Sequence, residues 1–150
     1  MRELHRLSFQ LGMINCFAEM VAAGVKRLAI SPPLRPEDYE EIREASEAIV
    51  EGSGIQSYLE TSLLVTDLQS PEFTRGKWSV LYFKDQGTLK AYLDLKKRKE
   101  SLEAAGAYTP EARRGISREF MRLLSYPEDV ITEKIQGGGE EDPFMLLGEE

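Results

Sequence analysis

The strongest constraint on the fold is a run of apolar residues near the start of the sequence, spaced alternately three and four positions apart. This spacing keeps side chains on one side of an α-helix. The run consists of Leu4, Leu7, Leu11, Ile14, Ala18, Val21, Val25 and Leu28. The opposite side of the helix is also apolar, through Phe9, Met13, Cys16, Phe17 and Met20. We therefore expect a central helix that is buried on two sides and ends at Gly24.

The rest of the chain alternates between helical and extended patterns. Pro36 is typical of a first helical position, and Asp85 and Gly106 can cap the two ends of another helix. After the first helix, the predicted elements are a strand at 25–31, a helix at 36–50, strands at 59–68 and 77–84, and helices at 86–105, 109–125 and 127–135. The two longer strands are expected to form a hairpin.

This order of elements predicts an α+β fold, a predominantly helical single domain with a small antiparallel or mixed sheet of two or three strands. An all-α bundle is the alternative if the strands are helical. A chain of 150 residues can bury a sufficient core without a metal or disulfide. We predict one globular domain over residues 1–136. The triple glycine at 137–139 is expected to begin a flexible acidic and hydrophobic tail, residues 137–150.

Composition excludes several classes of protein. The net charge of −7 argues against a nucleic-acid or membrane-surface binder, because both polyanions repel an acidic chain. One cysteine and one histidine rule out an internal disulfide and make a zinc site improbable. We expect no metal and no cofactor. With neither a signal peptide nor a membrane span in the pattern, a cytoplasmic location is expected.

Polar side chains on the first helix have two interpretations. Asn15 and Glu19 lie one turn apart in a stripe of polar and small residues. The stripe is either the edge of the helix that meets water, which requires no buried charge, or one wall of a groove. In the groove, Glu19 would act as a general base for an anionic substrate. Arg75 or Lys84, from the end of the hairpin, would complete that site.

A second candidate for anion binding is the turn before the helix at 86–105. Gly87 and Thr88 lie at the helix start, where free N–H groups attract anions, and Lys84 is beside them. The turn lacks both the Walker and the dinucleotide-binding glycine patterns. Asp85 would already cap this helix, and its charge discourages a phosphate.

Two further segments have the chemistry of protein-binding surfaces. Arg114, Arg118 and Arg122 recur every four residues and form one row that can bind carboxylates. The row is expected to face an acidic partner, either the helix at 36–50 or a second copy of the chain. In the tail, an apolar cluster lies between glutamates and is expected to dock on a surface. The cluster consists of Phe144, Met145, Leu146 and Leu147.

These observations favour a small cytoplasmic protein that is not a catalyst. We expect a protein-interaction or regulatory protein, homodimeric or bound to another protein, with the arginine row and the tail as its contact elements. The alternative is a protein or enzyme that binds a small anionic ligand through Asn15, Glu19 and the hairpin end.

Overall fold

A small sheet lies at the centre of the fold. The computed structural model describes residues 5–68 and 71–137, and these residues form six helices and three strands. The helices are α1 (Arg6–Ala22), α2 (Pro36–Ser53), α3 (Pro71–Thr74), α4 (Gln86–Ala104), α5 (Pro110–Leu123) and α6 (Glu128–Gly137). The strands are β1 (Leu28–Ile30), β2 (Gln56–Glu60) and β3 (Ser79–Phe83). The predicted α+β class, with a small antiparallel sheet, is confirmed.

The middle strand, β3, divides the core into two layers. The sheet order is β1-β3-β2, and both pairings are antiparallel. Every residue of β3 is buried, and successive side chains of a strand point to opposite faces. Val80 and Tyr82 join the apolar core formed with α1 and α2, whereas Leu81 and Phe83 join the core formed with α4 and α5. The sheet is therefore covered by helices on both faces.

Several helix ends follow signals that were visible in the sequence. The Asp85 carboxylate accepts a hydrogen bond from the Thr88 N–H at 2.9 Å and caps α4, as predicted. Gly24 and Gly106 have φ values of 79° and 66°, in the left-handed region that ends helices and favours glycine. Pro36 is the first residue of α2. These ends depend on the chemistry of one or two residues, which is why they could be predicted.

The start of α5 offers a test of such a local signal. The Thr109 hydroxyl accepts a hydrogen bond from the Ala112 N–H at 3.1 Å. We expect Thr109→Ala to lower the free energy of unfolding by about 1 kcal/mol, the usual cost of losing an N-cap. Urea denaturation measures this change. Ser101→Ala, at an exposed position inside α4, is the control and should change stability by less than about 0.5 kcal/mol. Equal effects of the two substitutions would contradict a capping role.

The prediction that α1 is buried on two sides is wrong. Cys16 is exposed, and Met20 is 39% exposed. The buried face contains Ile14, Ala18 and Val21, which pack in the core on one side of the sheet. Because the sheet occupies the centre, α1 lies in an outer layer and buries one face fully.

The predicted strand at 59–68 is also wrong over most of its length, because β2 ends at Glu60. Beyond it the chain is irregular, and side chains satisfy its backbone groups. The Leu64 N–H donates to the Tyr92 hydroxyl at 3.1 Å, and the Asp67 N–H donates to Ser117 Oγ at 2.9 Å. A buried segment without strand pairing requires such partners. The antiparallel pairing of the two longer strands, β2 and β3, is confirmed.

Candidate functional site

A cavity of about 250 Å³ lies at one end of the core, between α1, the irregular segment after β2, α5 and α6. Its wall is largely apolar. Six of the apolar lining residues are Phe17, Leu63, Leu64, Leu68, Phe120 and Leu124. We call this space, with Lys26, Tyr126 and Lys134 at its wall, the lysine cavity.

Two ammonium groups of the lysine cavity lie close to one aromatic ring. Lys26 Nζ is 5.4 Å and Lys134 Nζ is 5.5 Å from the centre of the Tyr126 ring. Lys26 Nζ is also 6.0 Å from the centre of the Phe17 ring. These are cation–π distances, at which the negative face of a ring attracts a cation. The arrangement places positive charge at the wall of a mostly apolar space.

The ammonium group of Lys26 is partly buried at this wall. Burial lowers the pKa of its ammonium group below the ordinary value of 10.5, because removal of water disfavours the charged form. Within the two described ranges its ammonium group has the Phe17 and Tyr126 rings as partners, and no carboxylate there lies within salt-bridge distance of Nζ. An anion in the cavity would therefore relieve the desolvation of this charge.

The turn after α5 brings Tyr126 to the cavity. Ser125 adopts a left-handed conformation with φ 69°, and the Tyr126 N–H donates to the Met121 carbonyl at 3.1 Å. The Ser125 hydroxyl accepts a hydrogen bond from the Arg27 N–H at 2.9 Å. This bond joins the end of α5 to the residue that follows Lys26, so the ring and the ammonium group are held together.

A buried ion pair supports the lining segment that follows β2. The Glu60 carboxylate is 4% exposed, and its Oε2 accepts from Lys96 Nζ at 2.8 Å and from the Tyr92 hydroxyl at 2.7 Å. Its Oε1 accepts from the Ser62 N–H at 2.9 Å. Burial raises the pKa of Tyr92 above its ordinary value, and the adjacent carboxylate raises it further. Because each group has partners and the Tyr92 hydroxyl also holds Leu64, the network positions the lining segment.

None of the ligand-binding residues predicted from the sequence lines the lysine cavity. Asn15 and Glu19 are exposed on α1. Arg75 is exposed and pairs with Glu72 at 3.1 Å, and Lys84 is exposed at the end of β3. The structure therefore does not gather these residues around the cavity, and their role in binding stays a prediction.

At the start of α4, the polar groups of Thr88 already have hydrogen-bonding partners within the protein. Thr88 is fully buried, and its N–H donates to the Asp85 carboxylate. Its Oγ1 accepts from Arg27 Nε at 3.1 Å. A side chain at Gly87 would place Cβ 3.0 Å from Asp85 Oδ1, so the turn fits closely around the capping carboxylate. Asp85 therefore occupies the place that an anion would take.

The arginine row finds an acidic partner, but not the one expected. Arg122 Nε lies 2.5 Å and Arg118 Nη1 lies 3.7 Å from the Glu128 carboxylate of α6, whereas α2 was the predicted partner within the chain. The hydrogen bond from Arg122 lowers the pKa of Glu128. Arg114 is exposed. Exposed ion pairs of this kind contribute about 0–1 kcal/mol.

The predicted tail contacts Phe144, Met145, Leu146 and Leu147 lie outside the described residues. Among residues 5–68 and 71–137, no group of three or more His, Cys, Asp or Glu side chains could hold a metal ion. Within the same ranges, no helix combines the length and the apolar composition needed to cross a membrane.

Sequence reasoning did not find the lysine cavity. Lys26 follows the first helix, Tyr126 follows α5 and Lys134 lies on α6, so no local motif contains them. The only signal near Lys26 is Gly24, which marks a helix end and indicates nothing about binding. Known proteins offer no guide to this site, since the chain matches no family model, no curated protein and no solved structure.

Proposed function

We propose that this protein is a non-catalytic binding protein, and that it recognises a short protein segment in which a large apolar side chain adjoins carboxylates. The lysine cavity carries this proposal, because it combines an apolar wall with the ammonium groups of Lys26 and Lys134 around Tyr126. The apolar side chain would enter the cavity. The carboxylates would lie near the two ammonium groups.

The size of the cavity supports an anchoring side chain as the occupant. A cavity of about 150 Å³ holds one benzene molecule, and dedicated small-molecule sites occupy roughly 300–1,000 Å³. At about 250 Å³ the lysine cavity has room for one aromatic or branched side chain and part of its neighbour. Anchors of this kind contribute most of the affinity at protein interfaces.

The charge of the wall supports an acidic segment. Lys26 is desolvated without a carboxylate partner in the described part of the chain. A charge-assisted hydrogen bond to a carboxylate is about twice as strong as a neutral one, and it would be formed where water is already reduced. Net charge alone, at −7, would disfavour acidic partners, so recognition would depend on this local positive surface.

The arginine row contributes less to this proposal. Two of its three members are paired with Glu128, so they would have to exchange partners before they could bind another carboxylate. Self-association through this row remains part of the proposal, with Arg114 as its exposed member. We assign the activity to the cytoplasm, where a single free thiol such as Cys16 stays reduced.

Binding of two matched peptides tests the proposed function. The acidic peptide is acetyl-Glu-Glu-Phe-Leu-amide, and the neutral peptide has Gln in place of each Glu. We expect the full-length protein to bind the acidic peptide about tenfold more tightly, because only its carboxylates can pair with Lys26 and Lys134. Titration followed by amide chemical shifts, with changes at Lys26 and Tyr126, measures both affinities.

A lysine substitution provides the control for this experiment. Lys26→Met keeps the apolar stem and removes the charge, and it should weaken binding of the acidic peptide about tenfold or more. Lys84→Met removes an exposed charge away from the cavity and should leave the affinity within about twofold of wild type. Equal affinities for the acidic and neutral peptides, or equal effects of the two substitutions, would disprove the proposal.

A small apolar carboxylate is the second candidate ligand, because the same wall would accept its acid group and its apolar part. The 4-phenylbutyrate ion tests this alternative. If it binds at least as tightly as the acidic peptide, the cavity serves a small molecule and the peptide backbone adds nothing to recognition.

A further inference from the structure

We propose that the lysine cavity is occupied by the chain's own C-terminal segment, residues 142–147, so that the protein carries its own competitor for the site. This inference rests on the proposed function, since it assigns an occupant to the same cavity. Residues 142–147 lie outside the described residues; their sequence and the place where the described chain ends support this assignment.

The segment has the composition that the cavity wall requires. Phe144, Met145, Leu146 and Leu147 are four consecutive apolar side chains, and an aromatic or branched member fits a space of about 250 Å³. Acidic residues flank them on both sides, namely Glu140, Glu141, Asp142, Glu149 and Glu150. These carboxylates complement Lys26 and Lys134, the two cations at the wall.

The described chain ends beside the cavity. Lys134, on α6, lines the cavity, and the described residues end at Gly137, the last residue given for α6. Three residues of helix advance the chain by about 4.5 Å. The seven residues from Gly137 to Phe144 then reach at most about 25 Å when fully extended. Since the cavity begins at α6 itself, this reach is sufficient, and the glycines at 137–139 allow the chain to reverse direction.

Tethering favours the chain's own segment over an identical one on a second copy. A short flexible linker gives a tethered segment an effective concentration on the order of 1 mM. If a free segment bound with a Kd of about 0.1 mM, the tethered segment would fill about nine cavities in ten and raise the apparent Kd of any competitor about tenfold. Removal of the segment from the cavity would therefore activate binding.

The single native cysteine allows a direct test in the full-length protein. Cys16 is exposed on α1 and precedes Phe17, a lining residue of the cavity. A nitroxide attached to Cys16 broadens the amide signals of residues close to it. We expect the signals of Phe144–Leu147 to lose most of their intensity relative to the reduced, diamagnetic sample. No loss at these residues would overturn the proposal.

Control variants show whether the loss of the tail amide signals is due to docking in the lysine cavity. Moving the nitroxide to the exposed side of α2, with Cys16→Ser and Glu44→Cys, places it on a helix that contributes no lining residue to the lysine cavity, and this should restore the tail signals. Lys26→Met and Lys134→Met together should also restore them. An equimolar mixture of isotope-labelled chains without nitroxide and unlabelled chains with nitroxide detects exchange between copies. Broadening that survives in the mixture would overturn docking within one chain in favour of a second copy.

The peptide titration separates failure of this inference from failure of the proposed function. In full-length protein carrying Phe144→Ser and Leu147→Ser, the acidic peptide should bind about tenfold more tightly than to wild type, because the competitor is lost. Gly148→Ser, which leaves the apolar cluster intact, should not change the affinity. If the peptide binds equally to all three proteins, the inference fails and the proposed function stands. If it binds to none, the proposed function fails.

Discussion

Phe120→Ala is expected to lower the free energy of unfolding by about 3–5 kcal/mol, the range for truncating a buried aromatic side chain. Phe120 is 1% exposed and belongs to the core between the sheet, α4 and α5. Its ring meets the Tyr92 ring edge to face, with 5.9 Å between the ring centres. Because Tyr92 also bonds Glu60 and Leu64, loss of the ring removes support from the network as well as apolar contacts.

Urea or thermal denaturation measures this loss, and Arg114→Ala on the same helix is the control. Arg114 is exposed, so its substitution should change stability by less than about 0.5 kcal/mol. A loss below about 1 kcal/mol for Phe120→Ala would mean that the neighbouring lysine cavity collapses around the smaller side chain. That result would contradict the view that the cavity wall is rigid enough to select a ligand.

Asp38→Asn is expected to lower the free energy of unfolding by about 2 kcal/mol at pH 7, through loss of two charge-assisted hydrogen-bonding partners. The Asp38 carboxylate is 7% exposed and lies 3.1 Å from Arg6 Nη2 and 3.0 Å from Arg35 Nε. It joins α1 to the first turn of α2, where negative charge is favourable. The two arginines are themselves more than a third exposed, which limits the effect.

The stabilisation from Asp38 should decrease at acidic pH. Burial raises the pKa of this carboxyl, but the hydrogen bonds and charges of Arg35 and Arg6 together outweigh burial and hold the pKa below 3.8. A carboxyl whose pKa is lower in the folded state stabilises the protein above its unfolded pKa. This contribution is lost as the pH falls through the folded value. The difference in the free energy of unfolding between wild type and Asp38→Asn should therefore be constant from about pH 5 to 7. It should shrink as the pH falls below 3.8.

Glu37→Gln is the matched control for Asp38→Asn, since Glu37 is the preceding residue of the same turn and is 68% exposed. We expect its substitution to change stability by less than about 0.5 kcal/mol at any pH. Thermal unfolding at a series of pH values measures both variants. If the stability difference between wild type and Asp38→Asn stayed the same at every acidic pH, Asp38 would not be an ionised carboxylate between the two arginines.

The parts of the fold that could be predicted are those whose cause is local. Asp85 caps α4 through the N–H of Thr88, three residues later, and Pro110 and Thr109 start α5 by contacts within one turn. Helical spacing likewise identified the buried residues Ile14, Ala18 and Val21 of α1. Each of these outcomes depends on side chains that remain neighbours in any compact fold of the chain.

The predicted strand at 59–68 and the predicted burial of α1 on two sides were wrong because contacts with distant residues decide both conformations. Leu63, Leu64 and Val65 have strand-like composition, but β2 ends at Glu60, whose carboxylate bonds Tyr92 and Lys96. Cys16 and Met20, on the second apolar side of α1, are exposed because the sheet, and not this helix, occupies the centre. Composition and periodicity describe a segment without its neighbours, so neither outcome was open to prediction.

The sequence by itself determined five of the six described helices and the α+β class, because hydrophobic period and capping chemistry act over a few residues. Only the tertiary structure decided where a binding site could lie. Lys26 is about a hundred residues away from Tyr126 and Lys134 in the sequence, and the three meet at one cavity because the helices pack on both faces of the sheet. A site made by packing leaves no local pattern, since its chemistry depends on distances that exist only after folding.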